Sequence, residues 1–164
     1  VEKGWRRARM EEAPQQVNEE FMREALEQAK RAGERGDIPI GAVIVTDQGD
    51  VIARAGNSRE RLNDPTAHAE ILALREAGTR LNDWRILNAT MYVTLEPCPM
   101  CAGAITMSRI PRLVIGAWNE EYGAVGSRWD LVRDQRMNHQ VEVFPGILEE
   151  ESAQLVKDFL RDKR

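Results

Sequence analysis

The stretch ATMYVTLEPCPMCAGAITMSRIPRLVIGA, residues 89–117, decides the fold of this chain. Its opening, ATMYVTL, is apolar or β-branched throughout and predicts a strand. Pro97 then opens a helical segment that ends before Pro111, and RLVIGA predicts the next strand. Two strands joined through a helix pair in parallel within one sheet. The stretch therefore predicts an α/β protein.

The flanking sequence adds further elements to this unit. Apolar periodicity predicts a helix over residues 18–32, ended by Gly33, and IGAVIVT, the turn DQGD and VIARA predict a β-hairpin. Another helix is predicted over residues 64–78, with Asp64 as its cap. VEVF predicts a short last strand, and apolar spacing over residues 148–159 predicts a C-terminal helix.

This order of elements predicts a three-layer α/β/α sandwich around a mixed five-stranded sheet. The hairpin is expected to be antiparallel, and the later strands are expected to be parallel through helical crossovers. Ligands of such sheets bind near the carboxyl ends of the strands, where the crossover helices begin. Two sequence motifs lie at those helix starts.

Composition limits the kinds of protein to consider. The chain has 164 residues, 42% of them apolar and 30% charged, which is ordinary for a soluble globular protein. We expect residues 1–16 to form a flexible tail and residues 17–164 to form one domain. No apolar run is long enough for a membrane helix, and the first residues lack the pattern of a secretory signal. Both cysteines lie within PCPMC, which favours a cytoplasmic location over a secreted disulfide scaffold.

The charge of the chain does not by itself indicate a nucleic-acid partner. The net charge is −4, and the isoelectric point is about 5.4. A polyanion would have to bind at a local group of basic residues, because phosphate contacts need nearby Lys or Arg. Candidate groups are Arg59 with Arg61, residues 128–136 and the C-terminal residues 161–164.

The first motif is Cys98-Pro-Met-Cys101, which follows a strand and opens a helix. Two cysteines at this spacing share one face of the helix, and the helix start lowers their thiol pKa values. The same arrangement serves a metal site or a thioredoxin-like redox pair, and a purely structural pair is a third interpretation. This segment alone leaves all three open.

The second motif is His68-Ala-Glu70, at the start of a separate helix. By itself it is most simply a capping histidine followed by a solvated acid. Together with Cys98 and Cys101, however, His68 completes three ligands, which is the number in a catalytic zinc site with its fourth position open for water. A redox protein would give His68 no role, and a non-catalytic zinc-stabilised binding module would not need an acid beside the metal.

Charge explains the need for Glu70 in such a site. Zinc with two thiolates and one neutral imidazole sums to about zero, so it acidifies water less than a three-histidine centre does. A carboxylate beside the water takes the proton instead and returns protons to the substrate. The sequence therefore predicts Glu70 as the general acid and base.

The chain resembles the bacterial tRNA-specific adenosine deaminases, within the cytidine and deoxycytidylate deaminase superfamily. The motif H-x-E followed by P-C-x-x-C is the known signature of zinc-dependent nucleobase deaminases. The resemblance also covers GAVIV, NDPTAHAEILALREA, TMYVTLEPCPMCAGAI, SRI, GAVGS and MNHQVEVFPGIL, in that order. It implies a cytidine-deaminase-like fold, a homodimer, one Zn²⁺ per chain, and hydrolytic conversion of the wobble adenosine of a tRNA anticodon loop to inosine.

The resemblance also implies the roles of individual residues. Its zinc ligands are His68, Cys98 and Cys101, and its general acid and base is Glu70. It also implies a set of substrate contacts. The implied base contacts are the Asn57 side chain, the Ala69 N–H and the Pro97 carbonyl, the implied pocket walls are Ile38 and Leu95, and Asn138 is implied to line the anticodon groove.

Two residues depart from the family pattern after the strand RLVIGA. Asn119 replaces an acidic residue near the RNA backbone, and Glu121 replaces a basic one. Asn119 still offers a hydrogen bond to a ribose hydroxyl, whereas Glu121 adds a charge that repels phosphate. These departures keep open the alternative of a deaminase that acts on a free base or nucleoside of the guanine or cytosine type.

Overall fold

The described part of the chain opens with a helix and a β-hairpin, and four helices and three strands follow. The computed structural model describes residues 14–163. Its strands are β1 (Gly41–Thr46), β2 (Val51–Gly56), β3 (Ala89–Leu95), β4 (Arg112–Ala117) and β5 (Glu142–Phe144). Its helices are α1 (Pro14–Glu34), α2 (Arg59–Leu62), α3 (Ala69–Leu81), α4 (Pro99–Met107) and α5 (Glu149–Asp162).

The five strands form one mixed sheet in the order β2-β1-β3-β4-β5. Strand β1 is antiparallel to β2 and to β3, whereas β3, β4 and β5 are parallel. The predicted mixed five-stranded sheet is therefore confirmed. The prediction of helical crossovers is wrong for the last strand: residues 118–141 connect β4 to β5 through turns and one isolated bridge, because this polar segment lacks an apolar helical face.

Alternating residues of the strands build two hydrophobic layers, one on each face of the sheet. Ala42 and Ile44 of β1 face the layer that contains α3 and α4. Val43 and Val45 face the opposite layer, which contains α1 and residues that precede α5. This period of two produces the predicted α/β/α sandwich, and it places α3 and α4 side by side on one face.

The helix that carries His68 begins later than the sequence predicts. Asp64 does not cap it, because its carboxylate accepts hydrogen bonds from the N–H and the hydroxyl of Thr66, at 2.9 and 2.8 Å, within a preceding turn. Helix α3 begins at Ala69 and passes the predicted end at Gly78. It stops where Asn82 adopts a left-handed conformation, with φ of 51°.

The ends of the chain differ from expectation in smaller ways. Helix α1 is longer than the predicted 18–32. Residues 1–13 of the predicted tail lie outside the described residues, and residues 14–16 belong to α1. None of the helices within residues 14–163 has both the length and the apolar character to cross a membrane.

Candidate metal centre

Two helices present their N-termini to one another at the centre of the candidate site. His68 is the residue before the first turn of α3, and Cys98 has the same position in α4. Both have extended backbone, and Pro99 at the first turn of α4 has a φ suited to a helix start. The two motifs, which are about 30 residues apart in sequence, therefore meet at helix starts, as the sequence analysis predicts.

The side chains of His68, Cys98 and Cys101 form one group whose ligand atoms all lie within 4.8 Å of one another. The Nδ1 atom of His68 is 3.6 Å from the Cys98 sulfur and 3.4 Å from the Cys101 sulfur. In a tetrahedral zinc site, a nitrogen and a sulfur ligand stand about 3.5 Å apart, given Zn–N of about 2.0 Å and Zn–S of about 2.3 Å. Both the spacing and the donor types fit zinc.

The three side chains differ in how readily they lose a proton. A hydrogen bond from Cys101 lowers the pKa of the Cys98 thiol to about 4, and the same bond raises the pKa of Cys101. The hydrogen bond with Cys98 raises the pKa of His68. Cys98 is therefore the side chain of the three that ionises most readily, and a Zn²⁺ ion that binds two thiolates and a neutral imidazole displaces the protons of Cys101 and His68.

Glu70 lies beside this group without belonging to it. Its residue is only 4% exposed, and its carboxylate interacts with Cys98 and Cys101. Burial is the main cause that raises the pKa of Glu70 to about 7. A carboxyl group with a pKa near neutrality both accepts and returns protons, which suits general acid and base chemistry.

Asn57, which directly follows β2, lies next to Ile38, which precedes β1. Asn57 is 4% exposed, and its side-chain N–H donates to the Ile38 carbonyl at 3.3 Å. Its side-chain oxygen accepts from the Arg59 N–H at 3.4 Å. The structure therefore holds the Asn57 amide in one orientation. The base contact assigned to it remains a prediction.

Backbone groups next to the ligands account for two more expected contacts. Ala69 is buried and is the first residue of α3, so its N–H has no acceptor within the helix. The Pro97 carbonyl accepts a hydrogen bond from the Ala124 N–H at 2.8 Å, which leaves its second lone pair. Both groups lie next to a ligand in sequence, and their contacts with a base remain predictions.

The other expected substrate residues are less closely tied to the ligand group. Leu95 is half-buried at the end of β3. The Asn119 side-chain oxygen accepts from the Tyr122 N–H at 3.1 Å, so it stabilises its own turn. Asn138 is exposed in the connection between β4 and β5. These three assignments also stay predictions.

Sequence reasoning missed Glu96, which immediately precedes Pro97. Its residue is 2% exposed, and its carboxylate accepts hydrogen bonds from the segment that follows β4. An acid at the end of an apolar strand, directly before a motif with ligand residues, is the signal that could have identified it. Its partners are 23 to 31 residues away along the chain, so the sequence could not reveal them.

Comparisons with known proteins agree with this site. The model of the cytidine and deoxycytidylate deaminase zinc-binding region matches residues 15–117. The chain is 48% identical to the tRNA-specific adenosine deaminase of Bacillus subtilis (strain 168) over 147 residues, which are 90% of this chain and 91% of that protein. It is also 48% identical to the tRNA-specific adenosine deaminase of Haemophilus influenzae, over 91% of this chain and 86% of that protein.

A solved structure gives the same result for the fold. It comes from a study of A-to-I editing by tRNA:A34 deaminases at the wobble position of transfer RNA, and it is 48% identical to this chain. Its TM-score is 0.80, over 83% of this chain and 98% of that one. Sequence, fold and the grouping of His68, Cys98 and Cys101 thus agree: the chain belongs to the cytidine and deoxycytidylate deaminase zinc-binding family.

Proposed function

We propose that this protein hydrolytically deaminates the wobble adenosine of a tRNA anticodon loop to inosine and releases ammonia, with residues 17–164 acting as one deaminase domain in the cytoplasm. One observation carries the proposal: the buried Glu70 carboxylate lies beside a three-residue zinc-ligand group. The relatives that share about half of the residues are tRNA-specific adenosine deaminases, which supports this substrate.

The reaction adds water to C6 of adenine, forms a C–O bond and breaks the C–N bond to the amine. His68, Cys98 and Cys101 would hold the zinc, and the bound ion would act as a Lewis acid that makes a water molecule more acidic. Glu70 takes a proton from the attacking water and passes it to the ring nitrogen. It then carries the second proton to the leaving amine, so that ammonia departs.

The remaining site residues bind and orient the base in this proposal. The fixed Asn57 amide is both donor and acceptor, so it reads a purine edge. The Ala69 N–H and the Pro97 carbonyl border the base on the two sides of the ligand group. A loop base suits such a buried centre, because it only has to leave its stack, whereas a paired base must also break its base pair.

The experiment that tests the substrate compares several compounds under identical conditions. The protein is incubated separately with an anticodon stem-loop that carries a wobble adenosine and with free guanine, cytosine, cytidine and adenosine. We expect inosine in the stem-loop and no turnover of the others. Turnover of a free base, with none in the stem-loop, would reverse the assignment. The protein would then be a deaminase of a free base or nucleoside, the alternative suggested by Asn119 and Glu121.

Replacing Asn57 with alanine is expected to lower kcat/KM for the stem-loop by about 10- to 100-fold, because a buried polar contact to the base is lost. Steady-state kinetics and zinc analysis check this result, and the zinc content should not change. Gln154→Ala removes an exposed amide on α5, far from the site, and is the matched control. Parent-like kinetics in the Asn57 variant would contradict a base contact.

We further propose that two copies of the chain associate through the face formed by α3 and α4. This face exposes large apolar side chains, including Trp84 at 60% and Met107 at 63%. Ile71 and Leu74 line the adjoining groove. A stable homodimer buries roughly 800 Å² on each partner, with an apolar centre, and this face offers such a centre.

Met107→Glu is expected to convert a dimeric parent into a monomer, because it places a charge at the centre of the proposed contact. Sedimentation velocity measures the change. Leu160→Glu is the matched control, because Leu160 is similarly exposed, at 48%, but lies on α5 on the other side of the sheet. A monomeric parent, or a Met107 variant that stays dimeric, would refute this interface.

A further inference from the structure

The Glu96 carboxylate holds a distant segment of the chain against the metal centre. It accepts hydrogen bonds from the N–H groups of Asn119, Val125 and Ser127, at 3.0, 2.9 and 3.0 Å, and from the Ser127 hydroxyl. All four donors are neutral, and all belong to residues 118–127, here called the 118–127 loop. A single buried anion therefore gathers the loop around itself.

The loop is shaped to admit this carboxylate. Gly123 passes so close that a Cβ atom there would overlap the Glu96 carboxylate. The Gly123 N–H closes a turn by donating to the Asn119 carbonyl at 2.8 Å. Since only glycine leaves the required space, the turn and the carboxylate fit together as one unit.

The same unit connects directly to the backbone that carries a zinc ligand. The Glu96 N–H donates to the Ala117 carbonyl at 2.8 Å, just before the loop begins. The Ala124 N–H donates to the Pro97 carbonyl, also at 2.8 Å, and Cys98 follows Pro97. Glu96 thus connects the two sides of the site: the strand end that leads to Cys98 and the loop beside it.

The 118–127 loop and the two residues that follow it present groups suited to contact with a nucleotide. Tyr122 is 59% exposed and forms an edge-to-face pair with Trp129, whose ring centroid is 5.8 Å away. Arg128 lies over the Trp129 ring at 5.8 Å. Exposed aromatic rings stack on bases, and this surface begins next to the residues that Glu96 holds.

We propose that Glu96 is a positioning residue for substrate binding: it fixes the 118–127 loop against Pro97 and Cys98, so that the loop forms a preordered wall of the substrate site. The proposal rests on the deaminase function proposed above. A wall that is ordered before binding costs less entropy when the substrate arrives. Its loss therefore weakens binding of the substrate and of the transition state equally, which raises KM and leaves kcat nearly unchanged.

Glu96→Gln tests this proposal, because glutamine keeps the size of the side chain but loses its charge and places an NH₂ group among N–H donors. We expect KM for the stem-loop to rise about tenfold or more, since hydrogen bonds to a charged group are lost. Both kcat and the zinc content should stay within about twofold of the parent. Glu150→Gln removes an exposed carboxylate from α5, on the other side of the sheet, and should leave KM within about twofold.

Amide hydrogen exchange gives a readout that does not depend on turnover. In Glu96→Gln, the amides of Val125 and Ser127 should exchange faster, whereas those of β3 should keep their protection. Ser127→Ala removes one hydroxyl donor to Glu96 and should show the same pattern with a smaller rise in KM, so it replaces Glu96→Gln if that variant does not fold. Parent-like protection in the variants would overturn the proposal.

The kinetic outcomes separate this proposal from the function on which it rests. A parent that forms no inosine in the stem-loop contradicts the proposed function, and the exchange pattern then tests Glu96 alone. A parent that forms inosine, combined with an unchanged KM in Glu96→Gln, overturns the role of Glu96. A fall in kcat and in zinc content at constant KM overturns it too. That result would mean that Glu96 stabilises the metal centre and does not position the loop for substrate binding.

Discussion

Replacing Glu70 with glutamine is expected to reduce deamination roughly a thousandfold while fold and zinc content stay at the parent level. Glutamine has nearly the same shape as glutamate, but it neither accepts nor returns a proton at pH 7. General acid and base catalysis by one group contributes about 10²- to 10⁴-fold to a rate, and Glu70 serves more than one proton transfer in the proposed reaction. The loss should therefore appear in kcat.

Single-turnover ammonia release and zinc analysis measure this effect together. Glu76→Gln is the matched control, because Glu76 lies in the same helix as Glu70 but is exposed. We expect the control to keep parent activity. Ammonia release by the Glu70 variant at the parent rate would show that Glu70 is not the general acid and base. The role of the three ligand residues would not be affected by that result.

Cys101→Ala is expected to abolish both zinc binding and deamination. The Cys101 residue is fully buried, and its sulfur is 3.4 Å from the His68 nitrogen, so no surface group replaces it as a ligand. Two remaining protein ligands hold zinc far more weakly than three do. The truncation also removes the hydrogen bond that lowers the pKa of Cys98.

Metal analysis after dialysis, followed by an activity assay, checks this prediction. Treatment of the parent with a strong chelator is the control, and it should reproduce the loss without any substitution. Added zinc should then restore the parent but not the Cys101 variant. A variant that keeps one zinc per chain and parent activity would contradict the ligand set.

The sequence predicts most of this fold because its signals are local. The apolar and β-branched runs ATMYVTL and RLVIGA, with one helix between them, yield β3, α4 and β4 close to their observed bounds. Long-range hydrogen bonds set the shape of residues 118–141 instead, as in the contacts of Glu96 with Val125 and Ser127. The sequence around Val125 and Ser127 contains no signal for these pairings with Glu96. The helical crossover that the sequence predicts here is therefore wrong.

The site is predictable to a similar degree and for a similar reason. The types and spacing of His68, Cys98 and Cys101 limit the chemistry strongly, and the structure brings these three together. The start of the helix that carries His68 is less predictable. Asp64 is a residue type common at helix caps, yet its carboxylate accepts a hydrogen bond from Thr66 within a turn. A helix cap and a turn both give the Asp64 carboxylate backbone hydrogen bonds, and tertiary packing decides which of the two forms.

The central claim is that Glu70 and the three ligand residues perform a hydrolytic deamination of adenosine in an anticodon loop. It is tested most directly by mass spectrometry of the stem-loop after reaction in water enriched in oxygen-18. We predict one oxygen-18 atom in each inosine formed by the parent, and roughly a thousandfold slower formation of inosine by Glu70→Gln. Inosine without the label, or labelled inosine formed by Glu70→Gln at the parent rate, would contradict it.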